Sequence, residues 1–304
     1  MRRGQPLPNA QSDEAYRRID ECIKSYCGLV FNPYAALEWV EGKATAESAG
    51  QIAAVVDSAK LKYMIEADCF VFTREVLDEC RRHNTGIKVP DFSALQNLSD
   101  SDELISVVGV LATQVSGYFD KEQTERVPKE GIPTKFPARS VQEWVKQTFL
   151  WKDKNPELYQ KRIDGFKAGM TEDIDRKNEY FKDREAYRLG WMKGFLKIDK
   201  ILKAFNGHTD IDVDDLLKNV DATACPAVDL YWKVREKRMM SGNPGNDNDV
   251  DDYLFLPVVP YADIILTERN LRAFILQADK TLESKVFHNA SDAAQALDSL
   301  ECLQ

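Results

Sequence analysis

Short apolar runs and segments of helical periodicity alternate in the first part of the chain. "CGLVF" at 27–31 and "DCFVFT" at 68–73 are β-branched and aromatic runs, which are typical of buried strands. Residues 44–66 have the apolar spacing of a helix, and so does "REVLDECRR" directly after the second run. Strands that alternate with helices in this way predict parallel strands joined by right-handed crossovers.

The same alternation returns near the C-terminus. The pattern predicts a helix at 226–240, a helix from about Val250, and then a strand at "ADIILT". A helix at 269–279 and a strand at "KVFH" follow. The chain should end in the helix "SDAAQALDSL", for which Ser291 is the expected N-cap.

The middle of the chain has a different pattern. Prolines separate three segments of helical periodicity, at 101–119, 140–169 and 171–205. A loop and a short helix follow, with Asp210 or Asp212 as the expected cap.

These patterns together predict an α/β fold with a discontinuous core. Residues 1–86 and 225–304 should form a parallel sheet flanked by helices. Residues 87–224 should form a large, mostly helical insertion.

Composition narrows the class of protein. With 304 residues, of which 43% are hydrophobic, the chain can bury a substantial core. Its apolar runs are too short and too often broken by proline to span a bilayer, and the N-terminus has no apolar segment typical of a secretory signal. We therefore expect a cytoplasmic protein with no membrane partner. The six scattered cysteines indicate reduced thiols, and the three distant histidines argue against a zinc site.

Charge is unevenly distributed along the chain. Residues 135–203 contain 17 basic and 11 acidic residues, a net charge of +6, whereas the remaining 24 basic and 39 acidic residues give −15. The basic segment fits either a phosphate-binding surface or a solvated, lysine-rich helix face. Its tryptophans fit either stacking on RNA bases or core packing: Trp144, Trp151 and Trp191.

Polar residues follow the predicted strands. Asn32 comes directly after "GLVF", Glu79 lies in the helix after "FVFT", and Glu268 comes directly after "ADIILT". Asp249 and Asp252 are three residues apart, so they share one face of the helix predicted before that last strand. Because the carboxyl ends of parallel strands meet in one crevice, we expect these five side chains to lie together. A hard divalent cation, Mg²⁺ or Mn²⁺, would relieve their mutual repulsion.

Two stretches carry a family resemblance: "FVFTREVLDE" and "NDVDDYLFLPVVPYADIILTERN". With a Pro-Tyr-x-Asp before an apolar strand, they resemble the PIN-like domain ribonucleases, over about 27–85 and 225–300. The resemblance implies metal-dependent cleavage of RNA, single-stranded or tRNA-like, often in a toxin or phage-defence setting. It also implies five catalytic positions, of which all but Glu268 are metal ligands: Asn32, Glu79, Asp249, Asp252 and Glu268.

The sequence departs from the family pattern at two positions. Asn32 stands where the family has its first aspartate, and Glu268 stands where the family has the aspartate of Thr-Asp. Glu268 keeps the charge, but Asn32 removes one and should weaken metal binding. Asn32 is a natural degenerate position, an inactivating substitution, or a residue outside the metal centre.

Two alternatives to a nuclease follow. One is a catalytically inactive PIN-like scaffold that binds an inhibitory or activating protein partner through its helical insertion. The other is an unrelated α/β protein whose acidic residues at 247–252 form only a loop and a helix N-terminus, where carboxylates favour the helix dipole.

Overall fold

The computed structural model describes residues 29–31, 61–63, 68–89, 154, 156–207, 211–242, 253 and 256–301. Over these residues the chain is mostly helical, with two small sheets of two parallel strands each. None of the described helices is both long and apolar enough to cross a membrane.

The first sheet joins β1 (Leu29–Phe31) and β2 (Leu61–Tyr63) in parallel, with Leu29 opposite Leu61. The strand predicted at 27–31 is therefore confirmed over its last three residues. The helix predicted at 44–66 is wrong where β2 forms, and the remainder of that segment lies outside the described residues.

The strand predicted at "DCFVFT" is wrong, because these residues form the beginning of helix α1 (Asp68–His83). Its side chains Val71, Phe72 and Val76 are fully or almost fully buried. A fully buried apolar run has no exposed face, so its pattern fits a buried helix as well as a buried strand. The sequence has no glycine or proline near the predicted strand–helix boundary at Thr73-Arg74, and the helix continues through it without a break.

The sequence pattern also predicts "GLVF", "FVFT" and "DIILT" as neighbouring strands of one parallel sheet, and this prediction is wrong. In the described parts of the chain, β1–β2 and β3–β4 are separate sheets. Both pairs are parallel, as predicted. The PIN-like topology stays a prediction.

The middle segment is mostly helical where it is described. Its helices are α2 (Pro156–Asp175), α3 (Lys177–Lys182), α4 (Arg184–Gly194), α5 (Ile198–Asn206) and α6 (Val213–Lys218). The Asp212 side chain accepts hydrogen bonds from the backbone N–H groups of Asp214 and Asp215, both at 3.0 Å. Asp212, one of the two predicted caps, is thus confirmed as the N-cap of α6.

The C-terminal elements follow the predicted order. They are α7 (Pro226–Ser241), β3 (Ile265–Leu266), α8 (Arg269–Ala278), β4 (Val286–Phe287) and α9 (Ala290–Glu301). Two short 3₁₀ segments lie between them, at Leu256–Tyr261 and Lys280–Ser284, and a third, Ala222–Ala224, precedes α7. The predicted cap Ser291 is wrong, since Asn289 Oδ1 accepts from the backbone N–H of Asp292 at 2.8 Å.

Helix α7 packs between two hydrophobic clusters. Ala227, Val228 and Trp232 belong to a cluster built with α1 and α3–α6. On another side of α7, Leu230 and Val234 join a cluster whose members are Met170, Tyr253, Leu256, Val259, Leu271, Ile275, Leu282 and Val286. The first cluster combines α1, from the predicted core, with helices of the predicted insertion. Within the described residues, the boundary at 86/87 therefore does not divide two hydrophobic cores.

Candidate functional site

Two of the five predicted site residues lie within the described part of the chain. Glu268 is exposed and stands at the N-cap position of α8, two residues after β3, and its side chain makes no capping hydrogen bond. Glu79 lies in α1 and is buried. Asn32, Asp249 and Asp252 lie outside the described residues.

Both carboxylate oxygens of Glu79 contact cationic or ionisable side chains of its own helix. Arg82 Nη1 donates to Oε2 at 2.8 Å, and His83 Nε2 lies 3.1 Å from Oε1. A divalent cation at Glu79 would have to replace these contacts. Among the described residues, no three His, Cys, Asp or Glu side chains form a group able to hold a metal ion. Glu79 and Glu268 therefore do not make a Mg²⁺ or Mn²⁺ site by themselves.

A second buried carboxylate, Glu75, lies one turn earlier on α1. It accepts hydrogen bonds from the backbone N–H groups of Ala227 at 2.8 Å and Val228 at 3.0 Å. These amides belong to the first turn of α7, where N–H groups have no partner within the helix. The Tyr261 hydroxyl donates a further hydrogen bond to Glu75. Glu75 thus caps α7 from another helix and connects α1, α7 and the segment Leu256–Tyr261.

Burial dominates the electrostatics of Glu75. It raises the pKa of Glu75 above its usual value of 4.5, although the bonds from Tyr261, Ala227 and Val228 act in the opposite direction. Burial and the bond to Glu75 also raise the pKa of Tyr261, so the tyrosine keeps its proton and donates it to the carboxylate.

Two thiols lie near this junction. Cys80 and Cys225 are free and fully buried. Burial, with smaller contributions from nearby Glu79 and Glu75, raises the pKa of each to about 12. Neither forms a thiolate at neutral pH, so these two cysteines are packing residues rather than nucleophiles.

Sequence patterns missed Glu75 and Tyr261. The one local signal for Glu75 was an acid between the apolar Phe72 and Val76, on the side of α1 that is buried. Its amide partners lie 152 and 153 residues away, so the sequence around Glu75 does not contain them.

We expect the stability difference between wild type and Glu75→Gln to depend on pH. A folded-state pKa above 4.5 means that the carboxyl favours folding while it is protonated, at pH values below 4.5. As pH rises from 4.5 through the folded-state pKa, the wild type should lose about 1.4 kcal/mol per unit of pKa elevation relative to Glu75→Gln, which does not titrate. Urea unfolding of both proteins between pH 4 and pH 8 measures this difference.

The variant Tyr261→Phe serves as the control, because it removes one bond that lowers the pKa of Glu75. Its total loss of stability between pH 4 and pH 8 should be larger than that of the wild type, because its folded-state pKa is higher. The prediction is contradicted if the free energy of unfolding of the wild type, relative to that of Glu75→Gln, increases with pH. The hydrogen bonds, and not burial, would then set the pKa of Glu75.

Comparison of the chain with protein-family models, curated proteins and solved structures finds no match. The resemblance to PIN-like ribonucleases therefore rests on the motifs of this chain. Among the described residues, β3 and α8 flank Glu268, as the sequence pattern predicts. The strand predicted before Glu79 does not form, since Glu79 and "FVFT" belong to one helix.

Proposed function

We propose that the protein is a metal-dependent endoribonuclease of PIN-like type. The observation that carries the proposal is the position of the parallel strands relative to two predicted site residues. Strand β1 ends at Phe31, directly before Asn32, and β3 ends at Leu266, two residues before Glu268. Polar groups at the carboxyl ends of parallel strands are the usual site residues of α/β proteins.

The proposed chemistry is hydrolysis of a phosphodiester bond in RNA. Oxygen atoms of Asn32, Glu79, Asp249 and Asp252 would hold Mg²⁺ or Mn²⁺, with Glu268 beside them. A cation held there supplies an activated water molecule and stabilises negative charge on the phosphate. Basic residues of 135–203 would neutralise the RNA backbone.

An inactive scaffold is the second candidate, and one observation favours it. The buried Glu79 carboxylate already contacts Arg82 and His83 through both of its oxygens. Together with an uncharged Asn32, this arrangement suits a protein whose acidic residues stabilise the fold. Its role would then be to bind an inhibitory or activating protein through residues 87–224.

A cleavage assay distinguishes the two candidates. We expect the protein to cut labelled single-stranded RNA or tRNA in the presence of Mn²⁺, to stop cutting in EDTA, and to lose activity in Asp252→Asn. Asp215→Asn, which removes an exposed acid of α6, should leave cleavage unchanged. Millimolar Mn²⁺ should also raise the melting temperature, since a ligand that binds only the folded state stabilises it.

The opposite result is equally informative. If neither RNA is cut and Mn²⁺ does not change the melting temperature, the nuclease proposal is rejected and the scaffold remains.

A further inference from the structure

Tyr261 combines an exposed ring with a fixed hydroxyl. The residue is 47% exposed at the end of the segment Leu256–Tyr261, and its hydroxyl donates to the buried Glu75. Leu256 and Val259, earlier in the same segment, are buried in the second cluster. The ring is therefore held at both its backbone and its hydroxyl end while part of its surface faces solvent.

One arginine lies beside this ring, and two more follow on the same helix. The guanidinium carbon of Arg74 is 5.6 Å from the ring centroid of Tyr261. Arg81 is seven residues further along α1, two helical turns away, and therefore lies on the same side of the helix. Arg82 is paired with Glu79, yet its side chain is 66% exposed.

Burial of two acids makes this side of α1 positive. From Arg74 to His83 the helix contains three arginines and three acids, but Glu75 and Glu79 are buried. Asp78 is the one exposed acid in that stretch. The exposed or partly exposed charged side chains of the stretch are therefore three arginines and one aspartate, and one of the arginines, Arg82, is paired with Glu79. The net charge of the whole chain is −9.

In the sequence, the residues of this surface lie close to residues of the proposed site. Arg74 and Glu75 lie about one turn before Glu79 on the same helix. Tyr261 lies in sequence between Asp252 and Glu268, and its bond to Glu75 attaches that segment to α1.

We propose that Tyr261, Arg74 and Arg81 form a binding surface for single-stranded RNA. A base stacks on the exposed ring of Tyr261, and the two arginines contact neighbouring phosphates. Stacking of this kind does not select a particular base, because every base has a flat aromatic face. The choice of RNA rests on the proposed function, but the three residues lie outside the basic segment 135–203 in the sequence.

Trp191, the other described aromatic residue considered for base stacking, packs against other aromatic rings. Its ring packs against Phe72, Tyr231 and Trp232 at centroid distances of 5.3, 5.4 and 5.4 Å. It belongs with the aromatic side chains around the first cluster.

Fluorescence anisotropy with a labelled single-stranded oligouridylate tests the surface in EDTA, where binding is measured without cleavage. Tyr261→Ala should bind about 5- to 100-fold more weakly than the wild type, whereas Tyr261→Phe, which keeps the ring, should retain most of the affinity. Arg81→Gln should reduce the slope of log K against log salt by about 0.7. Phe195→Ala is the matched control, because Phe195 is an exposed aromatic residue (54%) at the end of α4.

The inference is overturned if the wild type does not bind the oligonucleotide, if Tyr261→Ala binds as tightly as the wild type, or if Phe195→Ala weakens binding equally. If Tyr261→Ala fails to fold, the test rests on Arg81→Gln, because Arg81 is exposed and its substitution should not affect folding. An unchanged salt slope then rejects the surface.

The binding and cleavage results are separable. Mn²⁺-dependent cleavage with no effect of Tyr261 or Arg81 on binding rejects this surface alone. Binding that depends on Tyr261, without any cleavage, supports the surface and rejects the nuclease.

Discussion

Asn32→Asp should raise Mn²⁺-dependent RNA cleavage on the order of a hundredfold. The substitution adds a charged oxygen ligand at the first acidic position of the proposed site, and Mg²⁺ and Mn²⁺ prefer charged oxygen ligands. A better-held cation lowers the pKa of its bound water and stabilises the transition state by several kcal/mol, which corresponds to a rate effect of this size. Without metal, the variant should be slightly less stable than the wild type, because one more carboxylate joins a repulsive group.

The comparison needs a control for added charge. Asn178→Asp introduces the same charge at an exposed position of α3, and cleavage should not change. Rates are measured on labelled single-stranded RNA at several Mn²⁺ concentrations, with EDTA as the metal-free reference. The half-saturating Mn²⁺ concentration should fall in Asn32→Asp alone. Equal rates for wild type and Asn32→Asp would remove Asn32 from the site.

Elements with clear local boundaries were predictable from the sequence. Strand β1 is followed by Asn32-Pro33, and α7 begins with Pro226 and ends at Gly242, which has the positive φ of 65° that glycine adopts readily. The sequence pattern divides α1 wrongly because the apolar run from Cys69 to Phe72 covers every side of its first turn. Phenylalanine, valine and threonine favour strands, but packing against α7 and the insertion helices overrides that preference.

The candidate site was predictable only in part. The position of Glu268 followed from a strand and a helix that meet next to it in the sequence. Arg82 and His83 follow Glu79 by three and four residues, a spacing at which side chains meet on a helix. The predicted helix "REVLDECRR" already contains Glu79 and Arg82, so their contact was predictable. The Glu75 junction was beyond local patterns, because tertiary packing alone brings Glu75 to the first turn of α7.

A long-range ion pair joins the predicted insertion to the predicted core. Arg235 of α7 donates from Nε to Asp173 Oδ2 at 2.7 Å and from Nη2 to Oδ1 at 2.5 Å, which is the bidentate geometry that arginine favours. The two side chains are only 19% and 13% exposed. The guanidinium also lies over the Trp232 ring, 5.0 Å from its centroid.

Arg235→Met should lower the free energy of unfolding by about 3–5 kcal/mol. Methionine keeps much of the packing on Trp232, but Asp173 is left as a mostly buried carboxylate without its partner. The double variant Asp173→Leu/Arg235→Met should recover most of the loss, since it removes both charges together. Arg176→Met is the matched control, because the pairs of Arg176 with Glu172 and Glu179 are exposed and should contribute less than about 1 kcal/mol.

Urea unfolding followed by tryptophan fluorescence and by circular dichroism measures these differences. Because Asp173 is in α2 and Arg235 is in α7, coincident transitions in both signals would show that these helices unfold as one unit. In that case the loss in Arg235→Met lowers the stability of the whole described fold. If the two signals separate and Arg235→Met shifts only one of them, α2 unfolds independently of α7. A loss below about 1 kcal/mol, similar to that of Arg176→Met, would contradict the prediction, because it would mean that water reaches Asp173 when the arginine is removed.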